Sequence, residues 1–125
     1  MAEAVRLSTL GHTWILDFDG TIVKHNGYKM DGADTFLEGA EEFLKKIPDT
    51  DMIIFLTSRT EAERELTEAF LKENGIRYHH IIYGAPYGER ILINDRKPSG
   101  LPMAVAFTDK RDEFVQRDIV LDDSL

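Results

Sequence analysis

Two aspartates separated by one residue follow the first apolar run of the chain. The run Trp14–Leu16 ends in Asp17, Asp19 comes two positions later, and Gly20 and Thr21 then turn the chain. In an extended segment, residues i and i+2 point to the same side, so the two carboxylates would start close together. Close carboxylates are costly unless a cation balances them. This spacing therefore predicts a buried strand that delivers two acids to a site for a cation.

Two later apolar runs also end in polar residues. Met52–Leu56 precedes Thr57, Ser58 and Arg59, and Ile91–Ile93 precedes Asn94 and Asp95. The carboxyl ends of parallel strands lie along one edge of a sheet, where ligands bind. We therefore expect four residues to meet at that edge: Asp17, Asp19, Thr57 and Asp95. Three carboxylates and a hydroxyl suit Mg²⁺ together with an anionic substrate.

The elements that must position these residues alternate between strand and helix patterns. Apolar residues at helical spacing predict a helix that begins between Thr35 and Gly39 and closes at Pro48. A capping box of Thr60 and Glu63 starts a second helix, Gly75 ends it, and a short strand follows at 81–83. This alternation predicts an α/β fold with a single Rossmann-like doubly wound, mostly parallel sheet and helices on both faces.

Four segments carry weak or ambiguous patterns. Asn26-Gly27 is a hairpin signal, so residues 21–34 are expected to form a small hairpin flap, either over the acids with His25, Tyr28 and Lys29 as substrate contacts or simply solvated. Residues 1–11 carry no strong pattern, and 104–107 are expected to form an edge strand. Residues 109–125 fit a helix, a packing arm or a partly disordered tail. We expect one domain over 1–125, with its core at about 12–108.

Composition limits the classes of function. The 125 residues contain no cysteine, which excludes disulfides, thiolate nucleophiles and cysteine-ligated metals. No window is apolar enough for a membrane helix, so a cytoplasmic location without a membrane partner is expected. The formal net charge of −8 argues against nucleic acid as a partner and implies that an anionic substrate needs a local cation.

The motifs together resemble a known family. Asp17-Phe18-Asp19-Gly20-Thr21 after an apolar run, Thr57 after the next run and Asn94-Asp95 after a later one are similar to the motifs of the haloacid dehalogenase superfamily of phosphatases. The resemblance covers roughly residues 14–97. It implies a small member without a cap domain. Its open site would suit either a bulky phosphorylated partner or a small phosphorylated substrate that a neighbouring subunit of a homo-oligomer encloses, and a sugar phosphate is the first choice.

The resemblance also implies roles for individual residues. Asp17 would be the nucleophile that forms an aspartyl-phosphate, and Asp19 would be the acid for the leaving alcohol and then the base for water. The Asp17 carboxylate, the Asp19 main-chain carbonyl and the Asp95 carboxylate would hold Mg²⁺. The Thr57 hydroxyl would bind a phosphoryl oxygen, and Gly20, Ser58, Arg59 and Lys97 are further candidates for phosphate contacts.

The chain departs from the family at the position of a lysine that offsets charge at the nucleophile. Ala85 stands at the matching place, so Arg90, Lys97 or Arg59 must substitute, and we favour Arg90 because it leads into the run that carries Asp95. A receiver-type signalling domain is disfavoured, because the middle strand ends in Thr57 rather than in an aspartate. A catalytically weak or silent relative that serves as a binding module is the alternative to an enzyme.

Overall fold

The computed structural model describes residues 3–125 and shows a small α/β fold. Its strands are β1 (Glu3–Leu7), β2 (Thr13–Asp17), β3 (Met52–Leu56), β4 (His80–Ile82) and β5 (Arg117–Leu121). Its helices are α1 (Gly27–Met30), α2 (Ala40–Lys46) and α3 (Arg64–Glu73), and a short 3₁₀ helix, Glu61–Glu63, leads into α3. Among these residues, no helix has the length and apolar character needed to span a membrane.

The strands form two separate parallel sheets. One sheet has the order β2-β3-β4, and the other pairs β1 with β5. In the first sheet the order runs in one direction, so right-handed crossovers place α2 and α3 on the same face. Aromatic contacts agree, because Phe43 of α2 packs edge-on against Trp14 and Phe70 of α3 packs against Phe18. The α/β class is confirmed, whereas a single doubly wound sheet with helices on both faces is not.

Within residues 3–125, β2 lies at an edge of its sheet and pairs with one strand, β3. The run Ile91–Ile93, which was expected to be a strand, is irregular, and the side chains of Ile91 and Ile93 are 84% and 90% exposed. Among residues 3–125 the strand order of this sheet does not reverse, so its two crossover helices share one face. Ile15 and Ile82 on the other face are accordingly half exposed. The expected edge strand at 104–107 is also irregular.

The core lies between the first sheet and its two helices. Ile53 and Phe55 of β3 are buried, and they pack with Phe18 and with Leu71 of α3. Trp14 and Leu16 pair with Ile53 and Phe55 in the parallel register, so they face the same core. This packing fixes the carboxyl ends of β2 and β3, where Asp17 and Thr57 lie.

Both helix predictions beside this sheet are confirmed. Thr60 and Glu63 form the expected capping box, with Glu63 accepting from the Thr60 main-chain N–H and Thr60 accepting from Ala62 N. Gly75 follows α3 with a φ of +68°, a backbone conformation that glycine adopts without a steric penalty. Local capping signals therefore set the bounds of this helix.

The hairpin flap is wrong. Asn26 has a φ of 55°, and its carbonyl accepts hydrogen bonds from Lys29 N and Met30 N, so the chain continues into the short helix α1. Val23 forms an antiparallel bridge with Phe36, which holds the two ends of the loop together. Asn-Gly thus begins a helical turn here rather than the tight turn of a hairpin.

The chain ends pair with each other, which the sequence did not indicate. Glu3 lies opposite Arg117 and Leu7 opposite Leu121 in the parallel β1–β5 pair. Of the three alternatives for residues 109–125, the packing arm agrees with residues 109–116, where Phe114 packs against Phe43 of α2, whereas Arg117–Leu121 form β5. Neither β1 nor β5 has a strong pattern of apolar residues in the sequence. Within residues 3–125 each pairs with one strand, and the side chains of residues 4–7 and 117–121 are exposed or half-buried.

Asp51 joins the start of β2 to the start of β3. Its carboxylate is buried and accepts hydrogen bonds from His12 N at 3.0 Å and from Trp14 Nε1 at 2.9 Å. Burial raises the pKa of Asp51, but the hydrogen bonds from Trp14 and His12 outweigh this effect and hold the pKa below its ordinary value of 3.8. The ionised form is therefore the one that stabilises the fold.

We expect the Asp51 carboxylate to make the free energy of unfolding depend on pH in the acid range. Because the folded pKa lies below the unfolded one, the contribution is complete above the ordinary pKa of 3.8 and is lost as the pH falls through the folded value. Asp51→Asn should lose about 1–3 kcal/mol at neutral pH, and this deficit should shrink as the pH falls below 3.8. Urea unfolding of both proteins across this pH range measures the deficit. A deficit that is constant with pH would contradict the role of the charge.

Candidate functional site

Asp17 lies at the carboxyl end of β2 with a partly exposed side chain. Thr21 Oγ1 donates to Asp17 Oδ2 at 2.9 Å, and Arg90 Nη1 donates to Asp17 Oδ1 at 3.0 Å. Arg90 Nη2 also reaches Ser58 Oγ, at 3.5 Å. The structure therefore brings Arg90 and Ser58, two of the residues singled out from the sequence, to the candidate nucleophile. Thr21 is a further contact that the sequence reading had not assigned.

Asp19 has a different cation as its partner. Arg59 Nε and Nη2 donate to the two Asp19 carboxylate oxygens at 2.9 and 2.8 Å. The same guanidinium donates to both oxygens of Asp34 at 3.0 and 2.7 Å and to Thr67 Oγ1 at 2.8 Å. These bonds use all five N–H donors of Arg59. In this arrangement Arg59 has no donor left for a phosphate, in contrast to the expectation, and Asp19 accepts hydrogen bonds rather than donating a proton.

The Arg59 guanidinium is also enclosed by aromatic rings. It lies 4.2 Å from the centroid of the Tyr28 ring and 4.8 Å from that of Phe18, and the residue is only 4% exposed. Burial alone would lower the pKa of Arg59, but the hydrogen bonds and charges of Asp19 and Asp34 outweigh burial and raise its pKa above the ordinary value. The cation is thus held permanently charged inside the protein.

Two predicted phosphate contacts are engaged within the protein. The main-chain N–H of Gly20 donates to Val23 O at 2.7 Å. Thr57 is buried, and its Oγ1 accepts from the main-chain N–H of Arg59 at 3.1 Å. The Thr57 hydroxyl oxygen therefore caps the turn after β3, which is an ordinary role for a threonine at the end of a strand.

The third aspartate and Lys97 lie in the irregular region after β4. The carboxylate of Asp95 is exposed and accepts from Asn94 Nδ2 at 3.2 Å. Lys97 lies in a turn, where its main chain bonds to Gly100 and Leu101. Across residues 3–125, no three His, Cys, Asp or Glu side chains are grouped so that they could hold a metal ion. The predicted Mg²⁺ site instead combines the carboxylates of Asp17 and Asp95 with the main-chain carbonyl of Asp19, so it stays a prediction.

Residues from the far end of the chain reach the loop that follows Asp19. Asp112 donates its main-chain N–H to Gly20 O at 2.8 Å and accepts from His25 N through Oδ1 at 2.7 Å. The Cγ atom of Arg111 lies 3.0 Å from the place that a Cβ on Gly20 would occupy. In the sequence these residues belong to a charged run without a motif, so nothing there pointed to the site.

The chain matches no family model, and it has no significant match among curated proteins or solved structures.

Arg59 should be the residue on which the stability of the site depends. Arg59→Ala leaves the carboxylates of Asp19 and Asp34 without their cation, so we expect a loss of about 3–5 kcal/mol in the free energy of unfolding. Arg64→Ala is the matched control, because Arg64 pairs with Glu61 and Glu68 on the protein surface and should change stability little. Urea unfolding measures both. Equal, small losses would show that the Arg59 network does not hold the fold.

Gly20 and Gly32 offer a comparison that isolates the contact with Arg111. Both glycines have a φ of +80°, so an alanine at either should cost about 1–2 kcal/mol. A Cβ added to Gly32 would have no atom of the described residues within 4 Å. A Cβ added to Gly20 would lie 3.0 Å from Arg111 Cγ. We therefore expect Gly20→Ala to be the more destabilising in chemical unfolding. In proteins that also carry Arg111→Ala, the difference in unfolding free energy between Gly20→Ala and Gly32→Ala should be smaller. An unchanged difference would argue against the contact between Arg111 and Gly20.

Proposed function

We propose that this protein is a phosphatase that hydrolyses a phosphate monoester through an aspartyl-phosphate at Asp17. An oxygen of Asp17 attacks phosphorus, the ester P–O bond breaks, and the alcohol leaves with a proton. Water then attacks the aspartyl-phosphate and releases inorganic phosphate, which restores the carboxylate. The observation that carries the proposal is the contact of Arg90 with Asp17, which supplies a cation where the motif lysine is absent.

Arg90 is suited to offset charge on the nucleophile and the phosphoryl group. Its side chain and that of Asp17 are about one-third exposed, so the ion pair adds little to stability and can open to admit a substrate. Ser58 lies beside the same guanidinium and can contact a phosphoryl oxygen. Asp19 is the proposed acid and then base. This role requires one of its oxygens to exchange Arg59 for the substrate or water.

Mg²⁺ enters the proposal through the motif resemblance. The carboxylates of Asp17 and Asp95 and the main-chain carbonyl of Asp19 are its proposed ligands, and no step above depends on the ion. The proposed doubly wound sheet would pair the run Ile91–Ile93 with the free edge of β2, which would carry Asp95 towards Asp17. The proposed substrate is a small phosphorylated compound, such as a sugar phosphate. The proposed location is the cytoplasm, where the protein acts as a monomer or as a homo-oligomer.

Hydrolysis of p-nitrophenyl phosphate, with Mg²⁺ and with a chelator, tests the reaction. Asp17→Asn should abolish turnover while circular dichroism shows an intact fold. Arg90→Ala should reduce kcat by about 10²–10³-fold, as expected for the loss of a group that stabilises developing charge. Arg96→Ala, a change of the same kind six residues away, should keep the wild-type rate. Full activity in Asp17→Asn would exclude it as the nucleophile, and equal rates for Arg90→Ala and Arg96→Ala would exclude Arg90 as the charge partner.

A catalytically silent binding module is the second candidate function. It is favoured by the hydrogen bonds between Asp19 and Arg59, which leave the expected proton donor acting as an acceptor. A silent module would bind phosphorylated sugars without releasing phosphate. Calorimetric binding together with a phosphate-release assay separates the two functions, because an enzyme must release phosphate in proportion to the protein added.

A further inference from the structure

The C-terminal arm, residues 109–116, is attached firmly to the rest of the protein. Asp109 forms an ion pair with Arg117 of β5, in which both side chains are only 12% exposed. The Arg117 guanidinium also lies 4.3 Å from the centroid of the Phe107 ring. Further along, the ring of Phe114 packs against Phe43 of α2 with centroids 5.2 Å apart. The arm is therefore anchored on both sides of residues 110–113.

Asp112 fastens this part of the arm to the loop after β2. It donates its main-chain N–H to Gly20 O and accepts from His25 N, so it contacts the loop through both its backbone and its side chain. Asp112 has a φ of 65°, which is uncommon for a residue with a side chain. A conformation of this kind persists where the surrounding contacts determine it. The position of the next residue back, Arg111, is thereby fixed relative to Gly20.

Arg111 presents an unused cation at this loop. If Gly20 carried a Cβ, that atom would lie 3.0 Å from Arg111 Cγ and 3.7 Å from Arg111 Cδ. The glycine at this position, three residues after Asp17, therefore leaves room for the Arg111 side chain. Within residues 3–125, the Arg111 guanidinium has no hydrogen bond or ion pair, whereas Arg59 and Arg90 are both paired with aspartates. Arg111 is exposed, and an exposed guanidinium on a side chain that packs against the loop after Asp17 is suited to two-point binding of a carboxylate or phosphate.

We propose that Arg111 binds a second anionic group of the substrate, so that the protein prefers phosphate monoesters carrying a further carboxylate or phosphate. This inference rests on the proposed phosphatase function. Arg90 already contacts Asp17, where the transferred phosphoryl group would lie, and this leaves Arg111 for a group further along the substrate. In a chain with a net charge of −8, a local cation is needed to attract a substrate with several negative charges.

Two aryl phosphates that differ in one anionic group test the proposal. Phenyl phosphate carries only the phosphate, and 4-carboxyphenyl phosphate adds a carboxylate. We expect the wild type to have a higher kcat/KM for the carboxylated compound, and Arg111→Ala to reduce this preference about tenfold or more, chiefly through KM. Arg111→Lys should restore part of the preference, because it keeps the charge but loses the two-point geometry.

Lys110→Ala is the matched control, because it removes the neighbouring positive charge, which lies 3.8 Å from Glu113. It should keep the wild-type preference. If Arg111→Ala and Lys110→Ala reduce the preference equally, the effect is general electrostatics and the proposal fails. An unchanged preference in Arg111→Ala also overturns it.

A failure of the phosphatase function would be visible separately, as no phosphate release from either compound by the wild type. Calorimetric binding of the same two compounds then decides the role of Arg111. A preference for 4-carboxyphenyl phosphate that is lost in Arg111→Ala supports the proposal, and equal binding of both compounds by the wild type rejects it.

Discussion

The pairing of two neighbouring aspartates with two different arginines governs the structure around the site. Asp19 turns inward to Arg59, and Asp17 faces outward to Arg90. The inward pair involves the loop after β2, the following loop through Asp34, and α3 through Thr67. Because a charge removed from water is costly unless it is fully paired, these three parts of the chain must be in place together. One buried guanidinium thus sets the positions of elements that are distant in sequence.

The two pairs differ in how easily they can change. Arg59 is buried and saturated with hydrogen bonds, so opening its contacts would leave desolvated charges behind. The Arg90–Asp17 pair is partly exposed, and water can replace either partner at little cost. The contacts of Asp19 are therefore the more rigid and those of Asp17 the more easily exchanged, so the proposed acid and base role of Asp19 carries the larger free-energy cost. The proposed role of Asp17 as the acceptor of a phosphoryl group needs such exchangeability.

Sequence patterns predicted the parts of the fold that are decided locally. The strands at Trp14 and Met52 and the helix capped by Thr60 are confirmed, because buried runs and capping residues determine them over short distances. The β1–β5 pair could not be predicted, since its stability comes from a partner at the other end of the chain. The contacts of Arg59 could not be predicted either, because its five N–H donors bond to residues that lie close together only in the folded chain. Arg90 was chosen from its place in the chain, and it contacts Asp17, but its role as charge partner stays a prediction.

The pairing of β1 with β5 has a consequence for the order in which the protein is built. The sheet that carries Asp17 comprises Thr13 to Ile82 and is made of neighbouring strand–helix units. By contrast, β1 must wait for Arg117 before it can pair, and contacts between distant segments form slowly. During synthesis we expect the sheet to fold first, while β1 stays without its partner strand. The loop at Gly20 would then gain Asp112 only at a late stage, so the site is assembled after the framework that supports it.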